Sequence, residues 1–305
     1  MNFRTAALII ALAGLPLAAC GTPSKHASTS ERAVTVSSTS KPSGLASQCK
    51  SIRSKYSRIP KRIAIAVSPF NGNMEKVDPT NPTNIIGVEP DLISALSKCL
   101  GFTYAYSSEA FSAVIASVTA GADPIGITDL FETPAREQEV DYVSYMVSVD
   151  QLITTPTLLS KFKTPLDLCG AAIGEAVGSV EAAYLANLST QCTSKGKAAI
   201  TVPQYPDLAS AILNVASGTV QGTINSDTLT AQAIAAYPKK IAAGIYFPSL
   251  RFTIGLAISK FAASSRLPSA ITAAMSKLER HGDVVAILKK WGFPASAEVS
   301  ALLVP

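Results

Sequence analysis

The chain has 305 residues, of which 48% are hydrophobic, and its 26 basic and 21 acidic residues leave a net charge of +5. This length and composition suit one large domain or two lobes with a packed core. The basic residues form no stripe interleaved with aromatic side chains, so nucleic-acid binding is not indicated. The sequence also lacks a phosphate-binding loop, a Rossmann glycine pattern, a Gly-x-Ser-x-Gly elbow and a metal-ligand cluster. We therefore expect no cofactor and no metal.

The start of the chain has the pattern of an export signal. Arg4 precedes an apolar run at residues 6–17, which is too short to remain as a membrane-spanning helix. Small residues flank Cys20, and they resemble the lipobox of bacterial lipoproteins. We predict a lipoprotein signal peptide over residues 1–19 and lipidation at Cys20. The alternative is an ordinary signal peptide with a chance cysteine.

Residues 20–44 are rich in Ser, Thr, Lys, Pro and Ala and contain almost no large apolar side chain. Such a segment cannot bury enough surface to fold. We predict that it is a flexible tether that holds the rest of the chain away from a membrane. The predicted location is therefore extracytoplasmic, with the protein anchored through lipid.

Four further cysteines are present, and an even number in an oxidising compartment favours disulfides. Four cysteines allow three pairings. We favour Cys169 with Cys192, which bracket one βα segment, and Cys49 with Cys99. The alternative is that some of them are free buried thiols.

A β-then-α alternation begins at residue 62 and predicts a mostly parallel sheet covered by helices. Short runs rich in Ile and Val indicate buried strands, and apolar residues at helical spacing end at glycines. The predicted elements of this first series are strands at 62–67, 102–106 and 124–128 and helices at 89–100 and 111–120.

The alternation restarts after residue 154, so the chain contains two similar halves. The predicted elements of the second series are strands at 171–174, 199–202 and 220–224 and helices at 180–188, 208–216 and 228–236. A strand at 252–258 and helices at 267–280 and 283–291 follow. These last helices need a partner surface, and the first half supplies one if the chain crosses back.

An ordered set of motifs resembles the bacterial extracytoplasmic solute-binding proteins of the amino-acid-binding type, which serve ABC importers. The resemblance extends over nearly all of residues 62–293. Its main motifs are, in order, Gly87-Val88-Glu89-Pro90-Asp91-Leu92, Thr133-Pro134-Ala135-Arg136, Val140-Asp141-Tyr142, Gly178-Ser179 and Lys289-Lys290-Trp291-Gly292.

The resemblance implies a two-lobed, type II periplasmic-binding-protein-like α/β fold, with a hinge of two crossings. Lobe 1 would comprise residues 45–150 and 252–305, and lobe 2 would comprise residues 151–251. Each lobe would carry a mostly parallel sheet with covering helices. A ligand would bind in the cleft between the lobes.

Arg136 is the predicted carboxylate-binding residue. By resemblance it holds the ligand carboxylate, and a guanidinium can do so with two parallel N–H groups, which a lysine cannot. The alternative is a surface arginine paired with Glu132 or Glu139. Ser179 follows Gly178 at a predicted helix start, where N–H groups attract an anion. It either contacts the same carboxylate from lobe 2 or simply caps the helix.

The remaining predicted ligand-binding residues surround this pair. Phe70 lies where the family offers an aromatic wall, although it would equally suit a core position. Either Ser226 or Asp227 occupies the place of the family's ammonium-binding aspartate. The predicted set is completed by Glu89, Phe131 and Thr133.

We expect a monomeric, lipid-anchored protein that captures a small carboxylate-bearing solute, such as an amino acid, and delivers it to an ABC permease. We do not expect an enzyme. One alternative is an exported enzyme of the same fold, such as a dehydratase, because carboxylates remain for acid–base chemistry. Another is a sensor lipoprotein without a transport role.

Overall fold

The first part of the chain alternates strands and helices. The computed structural model describes residues 49–305, so the predicted signal peptide (1–19), Cys20 and the tether (20–44) lie outside the described residues. In chain order the elements are α1 (Lys50–Lys55), β1 (Arg62–Val67), β2 (Lys76–Asp78), β3 (Asn81–Ile86), α2 (Val88–Leu100), β4 (Thr103–Ser108), α3 (Phe111–Thr119), β5 (Ile125–Ile127), α4 (Pro134–Glu137) and β6 (Val140–Thr154).

The second part has shorter strands and ends in two helices. After 3-10 turns at Pro156–Leu158 and Pro165–Leu168 come β7 (Glu175–Ala176), α5 (Val180–Ser194), β8 (Gln204–Tyr205), α6 (Leu208–Ser217), β9 (Gly222–Ser226), α7 (Asp227–Ala236), β10 (Ala242–Ser259), α8 (Leu267–His281), α9 (Asp283–Lys290) and β11 (Leu303–Val304). Within residues 49–305, no helix has the length and apolar character needed to cross a membrane.

Seven strands form one mixed sheet in the order β11–β6–β10–β5–β1–β4, and β9 also pairs with β6. β1 is parallel to β4 and to β5, as expected for strands joined through helices. β10 is antiparallel to β5 and to β6. The sequence predicts a mostly parallel sheet. In the structure the β4–β1–β5 part is parallel, whereas β10 and β6 are antiparallel.

β6 and β10 are 15 and 18 residues long and connect two regions of the molecule. They pair along almost their whole length, with register shifts between Ala243 and Tyr246 and between Phe247 and Arg251. We call residues 49–139, before β6, the first segment and residues 155–241, between β6 and β10, the middle segment. One end of the β6–β10 pair joins β5 of the first segment, and the other end joins β9 of the middle segment.

Separate apolar clusters lie at the two ends of this strand pair. The larger cluster contains Ile63, Leu92 and Ile271 and joins β1, α2 and α8. A second cluster contains Leu152 and Leu185 and lies mainly in the middle segment. Full burial of each Leu or Ile side chain contributes about 1.5–3 kcal/mol, so each region has its own stabilising core.

Both favoured disulfide pairings are present. Cys49 bonds to Cys99 at the end of α2, and Cys169 bonds to Cys192 in the last turns of α5. The two bonds close loops of 50 and 23 residues. In the chain-entropy model, links of this span contribute about 3–4 kcal/mol each.

The structure departs from the predicted strands where strands are short or exposed. The predicted strand 171–174 forms only single-residue bridges at Ala172 and Ile173, and the regular pairing lies further on, in β7 and β8. The β2–β3 hairpin was not predicted because it is mostly exposed and lacks an apolar pattern. The predicted strand 252–258 is the final part of the much longer β10.

Gly87 caps the start of α2 in a conformation that side chains avoid, with φ of 149°. A Cβ atom there would run into the backbone of Met74. We expect Gly87→Ala to lower the free energy of unfolding by about 2–4 kcal/mol, measured by denaturant titration. Gly218→Ala is the matched control, because Gly218 has φ of 80° but open space around it. It should cost about 1 kcal/mol, and equal losses for the two variants would contradict this account of Gly87.

Candidate functional site

A cavity of about 30 Å³ lies between the first and middle segments. It has room for roughly one or two water molecules, so an amino acid enters only if the walls move apart. The first segment contributes Asn71, Phe111, Asp129, Phe131 and Arg136 to the walls, and the middle segment contributes Glu175, Ala176, Ser179, Val180, Glu181, Leu208 and Asn225.

Arg136 lies on the one-turn helix α4 and reaches across the cavity. Its backbone N–H donates to the Thr133 hydroxyl at 3.3 Å, which fixes the start of this turn. Its Nη1 donates to the Phe131 carbonyl at 3.1 Å, and its Nη2 donates to the Gly178 carbonyl of the middle segment at 3.4 Å. The guanidinium thus contacts both walls.

Among residues 49–305, no carboxylate forms an ion pair with Arg136. Ion pairs of the described chain include Lys260–Asp141 and Lys290–Asp91. The alternative pairing of Arg136 with Glu132 or Glu139 is therefore not formed. Within the described residues the half-buried guanidinium donates hydrogen bonds to two neutral carbonyl oxygens, so its N–H groups are available to an anionic group.

The N-terminus of α5 faces the same cavity. The Ser179 hydroxyl accepts a hydrogen bond from the Ala182 N–H at 3.1 Å, so Ser179 is a helix cap as well as a wall residue. The unpaired N–H groups and dipole at the start of this 15-residue helix favour negative charge. Arg136 and the α5 start together form a positive region of the wall.

Asp129 gives the opposite charge to the neighbouring wall. It has φ of 55°, an uncommon conformation for a residue other than glycine, and its backbone N–H donates to Glu89 Oε2 at 3.2 Å. Its side chain is 8% exposed and lines the cavity, while no group of the described residues donates to its Oδ1. Burial and the charge of Glu89 raise its pKa well above the usual range, and Arg136 opposes this shift.

Two more carboxyls support the Asp129 loop from behind. Glu89 accepts a hydrogen bond from the Tyr145 hydroxyl at 2.8 Å, and Glu75 accepts one from the Thr128 hydroxyl at 3.1 Å. Both are fully buried. Burial raises the pKa of each, and the charge of Glu89 raises that of Glu75 further. The folded pair therefore keeps a proton to higher pH than the unfolded chain does.

The middle segment brings two further carboxyls to the cavity wall, and β6 places a third behind it. Glu175 accepts the Ile224 N–H at 2.7 Å, and Glu181 lies in the first turn of α5. Asp150, on β6, is fully buried and lies against the Glu181 carboxyl. Burial first, and the charge of Glu181 second, raise the pKa of Asp150 to about 10. Burial also raises the pKa of Glu175 and of Glu181.

The model of the bacterial extracellular solute-binding proteins, family 3, matches residues 63–294. The chain belongs to this family. Its two-lobed α/β architecture is also that of solved structures. A Streptococcus pneumoniae amino acid ABC transporter substrate-binding protein bound to L-arginine is 20% identical. The superposition covers 82% of the present solute-binding protein and 100% of the Streptococcus pneumoniae chain, with a TM-score of 0.68.

Two other relatives show the range of proteins with this fold. The arginine-binding protein ArgT of Corynebacterium glutamicum is 26% identical over 72% of this chain and 71% of that protein. An ancestral amino-acid-binding protein described as a precursor of cyclohexadienyl dehydratase is 16% identical. It superimposes with a TM-score of 0.67, over 80% of this chain and 99% of that chain.

The structure places the predicted ligand residues of the solute-binding protein in different surroundings. Arg136, Phe131 and Ser179 line the cavity. Gly178 contacts Arg136 through its carbonyl, and Thr133 caps α4. The Glu89 side chain lies behind the wall and holds the Asp129 backbone.

Besides Gly178, Thr133 and Glu89, three more predicted residues do not line this cavity. Phe70 is 46% exposed and lines a separate cavity of about 440 Å³ beside Leu208. Ser226 caps α7 by accepting the Leu229 N–H at 3.2 Å. Asp227 lines a different surface cavity near Arg251.

The sequence analysis missed several wall residues. They share no motif. Glu181 lies two residues after Ser179, and Glu175 is a lone acid in an apolar run, which was a usable signal. The missed wall residues are Asn71, Phe111, Asp129, Glu175, Ala176, Val180, Glu181, Leu208 and Asn225.

The buried carboxyls predict a pH-dependent stability. Because the folded pKa of Glu75 is raised, the folded chain binds a proton that the unfolded chain loses, so stability falls as pH rises above about 4.5. A glutamine at position 75 has an amide N–H that can donate to Glu89 at any pH. We expect the Tm of Glu75→Gln to fall less than that of the wild type between acidic and mildly alkaline pH. A 1 kcal/mol difference corresponds to roughly 2–4 °C.

Thermal unfolding over a pH series checks this expectation. Glu139→Gln is the control, since Glu139 is exposed and should leave the wild-type profile unchanged. Parallel profiles for Glu75→Gln and the wild type would contradict the assigned protonation.

Proposed function

We propose that this solute-binding protein captures an amino acid between its two lobes and binds the ligand carboxylate with Arg136 and the N-terminus of α5. One observation carries the proposal: a guanidinium that forms no ion pair with a carboxylate of residues 49–305 lies between the first and middle segments. A ligand bound there contacts both lobes.

The hydrogen-bond geometry of Arg136 favours exchange for a carboxylate. Its contact with the Gly178 carbonyl is long, at 3.4 Å, and that carbonyl is neutral. A carboxylate offers two charged acceptors to the guanidinium fork, and charge-assisted bonds are about twice as strong as neutral ones. The ligand would therefore replace a weak link between the segments with a strong one.

The small cavity volume requires the lobes to open. We assign residues 45–150 and 252–305 to lobe 1 and residues 151–251 to lobe 2, with β6 and β10 as the crossings. The register shift between Phe247 and Arg251 interrupts regular pairing close to the Val149–Asp150 crossing. An interrupted ladder is a suitable place for the dihedral changes of a hinge.

The relatives supply a first ligand to test. ArgT of Corynebacterium glutamicum is named as arginine-binding, and the Streptococcus pneumoniae structure holds L-arginine. We therefore place L-arginine first in a panel of amino acids. Absence of chemical turnover of the bound compound would separate binding from the dehydratase-like alternative, and transport assays would separate uptake from a sensor role.

We further propose that the protein lies outside the cytoplasm, anchored by lipid at Cys20 and carried on the 20–44 tether, and delivers its ligand as a monomer to an ABC permease. Membership in an extracellular family supports this location. The Streptococcus pneumoniae structure is that of an ABC transporter substrate-binding protein, which supports a permease as the partner.

Arg136 variants test the carboxylate site. Arg136→Ala removes two hydrogen bonds to charge, worth about 1.5–3 kcal/mol each, so we expect ligand affinity to fall by about 100-fold or more. Arg136→Lys should recover only part of it, because an ammonium cannot hold both oxygens. Ser179→Ala should be milder, since the backbone N–H groups remain. Titration calorimetry measures each, with the exposed Arg58→Ala as control. Normal binding by Arg136→Ala would refute the assigned pocket.

Cys20→Ala tests the anchor. Without the thiol no lipid can be attached, so the variant should be released from membranes or remain unprocessed. Fractionation of cells and immunoblotting of both fractions would show it. Equal membrane association of the variant and the wild type would exclude Cys20 as the anchor.

A further inference from the structure

We propose that Gln232 on α7 and the loop of residues 71–75 form a latch between the lobes, which stabilises the closed arrangement before any ligand binds. Gln232 lies outside the wall of the ligand cavity, so it is a positioning residue that sets amino-acid affinity without contact with the amino acid. The inference rests on the proposed function, because it takes the lobes to close around a ligand.

The latch contains a hydrogen bond that crosses from the first segment to the middle segment. The Asn73 backbone N–H donates to Gln232 Oε1 at 2.8 Å, a shorter contact than the 3.4 Å between Arg136 Nη2 and the Gly178 carbonyl. A ligand carboxylate would displace the Arg136 contact. The bond between Asn73 and Gln232 needs no such exchange, so it can hold the lobes together with or without a ligand.

The side chain of Gln232 is committed to the opposite lobe. Within residues 49–305 its Nε2 has no acceptor, and its Oε1 accepts from Asn73 of the first segment. Gln232 therefore ties down no part of its own lobe through its amide. This distinguishes it from a glutamine that stabilises a local turn.

Close packing surrounds the hydrogen bond. Gly72 approaches α7 so closely that a Cβ atom on it would lie 2.7 Å from Gln232 Oε1 and 3.1 Å from Leu229 Cδ2. Leu208 and Leu229 of the middle segment are buried in the larger apolar cluster, together with Ile63 of β1. Separation of α7 from the loop would give up this burial as well as the hydrogen bond.

The loop side of the latch is held firmly in the first segment. The Asn73 Nδ2 donates to the Trp291 carbonyl at 2.9 Å, and the Asn73 Oδ1 accepts from Lys76 Nζ at 2.7 Å. The Asn71 N–H donates to the Glu75 carbonyl at 3.1 Å and closes the loop. The Asn73 N–H is therefore presented to α7 in a fixed direction.

The same loop reaches the ligand cavity. Asn71 is a wall residue, and its Nδ2 donates to the Thr128 carbonyl at 3.1 Å, next to Asp129. Asn71 and Asn73 are only two residues apart, so a closed latch holds one wall of the cavity in its ligand-binding position. Apparent affinity scales with the population of the binding-competent conformer. Loss of the latch should therefore weaken binding.

Gln232→Ala tests the latch. Loss of a neutral hydrogen bond should lower the affinity for L-arginine about 5-fold, with faster dissociation, because the closed conformer is less populated. Calorimetry measures the affinity and stopped-flow mixing the dissociation rate. Small-angle X-ray scattering of the ligand-free protein should show a larger radius of gyration for the variant than for the wild type.

Two further variants separate a latch from a general loss of stability. Gln221 is the matched control, because its Oε1 accepts the Ala172 N–H at 3.1 Å within the middle segment. Gln221→Ala should lower the Tm but keep wild-type affinity and ligand-free dimensions. Gln232→Glu retains an acceptor for the Asn73 N–H, so it should bind L-arginine at least as tightly as the wild type.

The outcomes distinguish this inference from the proposed function. If Gln232→Ala keeps the wild-type affinity and ligand-free scattering, or if Gln221→Ala weakens binding equally, the latch is wrong while the carboxylate site stands. If the wild type binds no amino acid of the panel, the proposed function fails. The ligand-free scattering of Gln232→Ala against the wild type then still decides whether the latch exists.

Discussion

The antiparallel pairing of β6 with β10 is the constraint on which the molecule depends. These strands run between two apolar clusters, of which the larger also includes Leu208 and Leu229 of the middle segment. β6 also supplies Tyr145, which holds Glu89 in the first segment, and Asp150, which faces Glu181 of the middle segment. One strand therefore sets the positions of acids on both sides of the cavity.

An excess of buried carboxyls over cations is a costly arrangement in a closed protein. Each charge removed from water loses solvation that only a partner ion or a bound proton can offset. The cavity wall has one guanidinium and three carboxyls, and further acids lie behind it. Such a site discriminates by charge, because a ligand of the wrong charge leaves acceptors unpaired and contributes less to closure.

Much of the fold was accessible from the sequence because its strands and helices carry strong apolar periodicity. The prediction for β1 matches its bounds, and α2, α3 and α8 end within a residue or two of the predicted positions. α5 runs six residues past its predicted end, to Ser194, because polar residues dominate its last turns while Cys192 packs inward and bonds to Cys169. The length of β6 and β10 depends on pairing between distant segments, which no local pattern reports.

The candidate site, too, was only partly predictable from the sequence. Arg136, Phe131 and Ser179 lie in short motifs with a chemical reason for each residue type, and they line the cavity. Asp150 and Glu175 are lone acids in apolar strands, and their meaning depends on what the fold brings opposite them. Ser226 was chosen by register with a family position and Asp227 as the acid one residue later. In the structure Ser226 caps α7, and Asp227 lines a different surface cavity.

The Cys49–Cys99 disulfide has a mechanical consequence. It joins the beginning of the described chain to the end of α2, and Arg53 adds hydrogen bonds to the Lys98 and Cys99 carbonyls there. Tension applied through the N-terminal end is therefore carried covalently into α2 and its apolar cluster. This path bypasses β6 and β10, so a pull through the proposed lipid anchor would not load the two long strands.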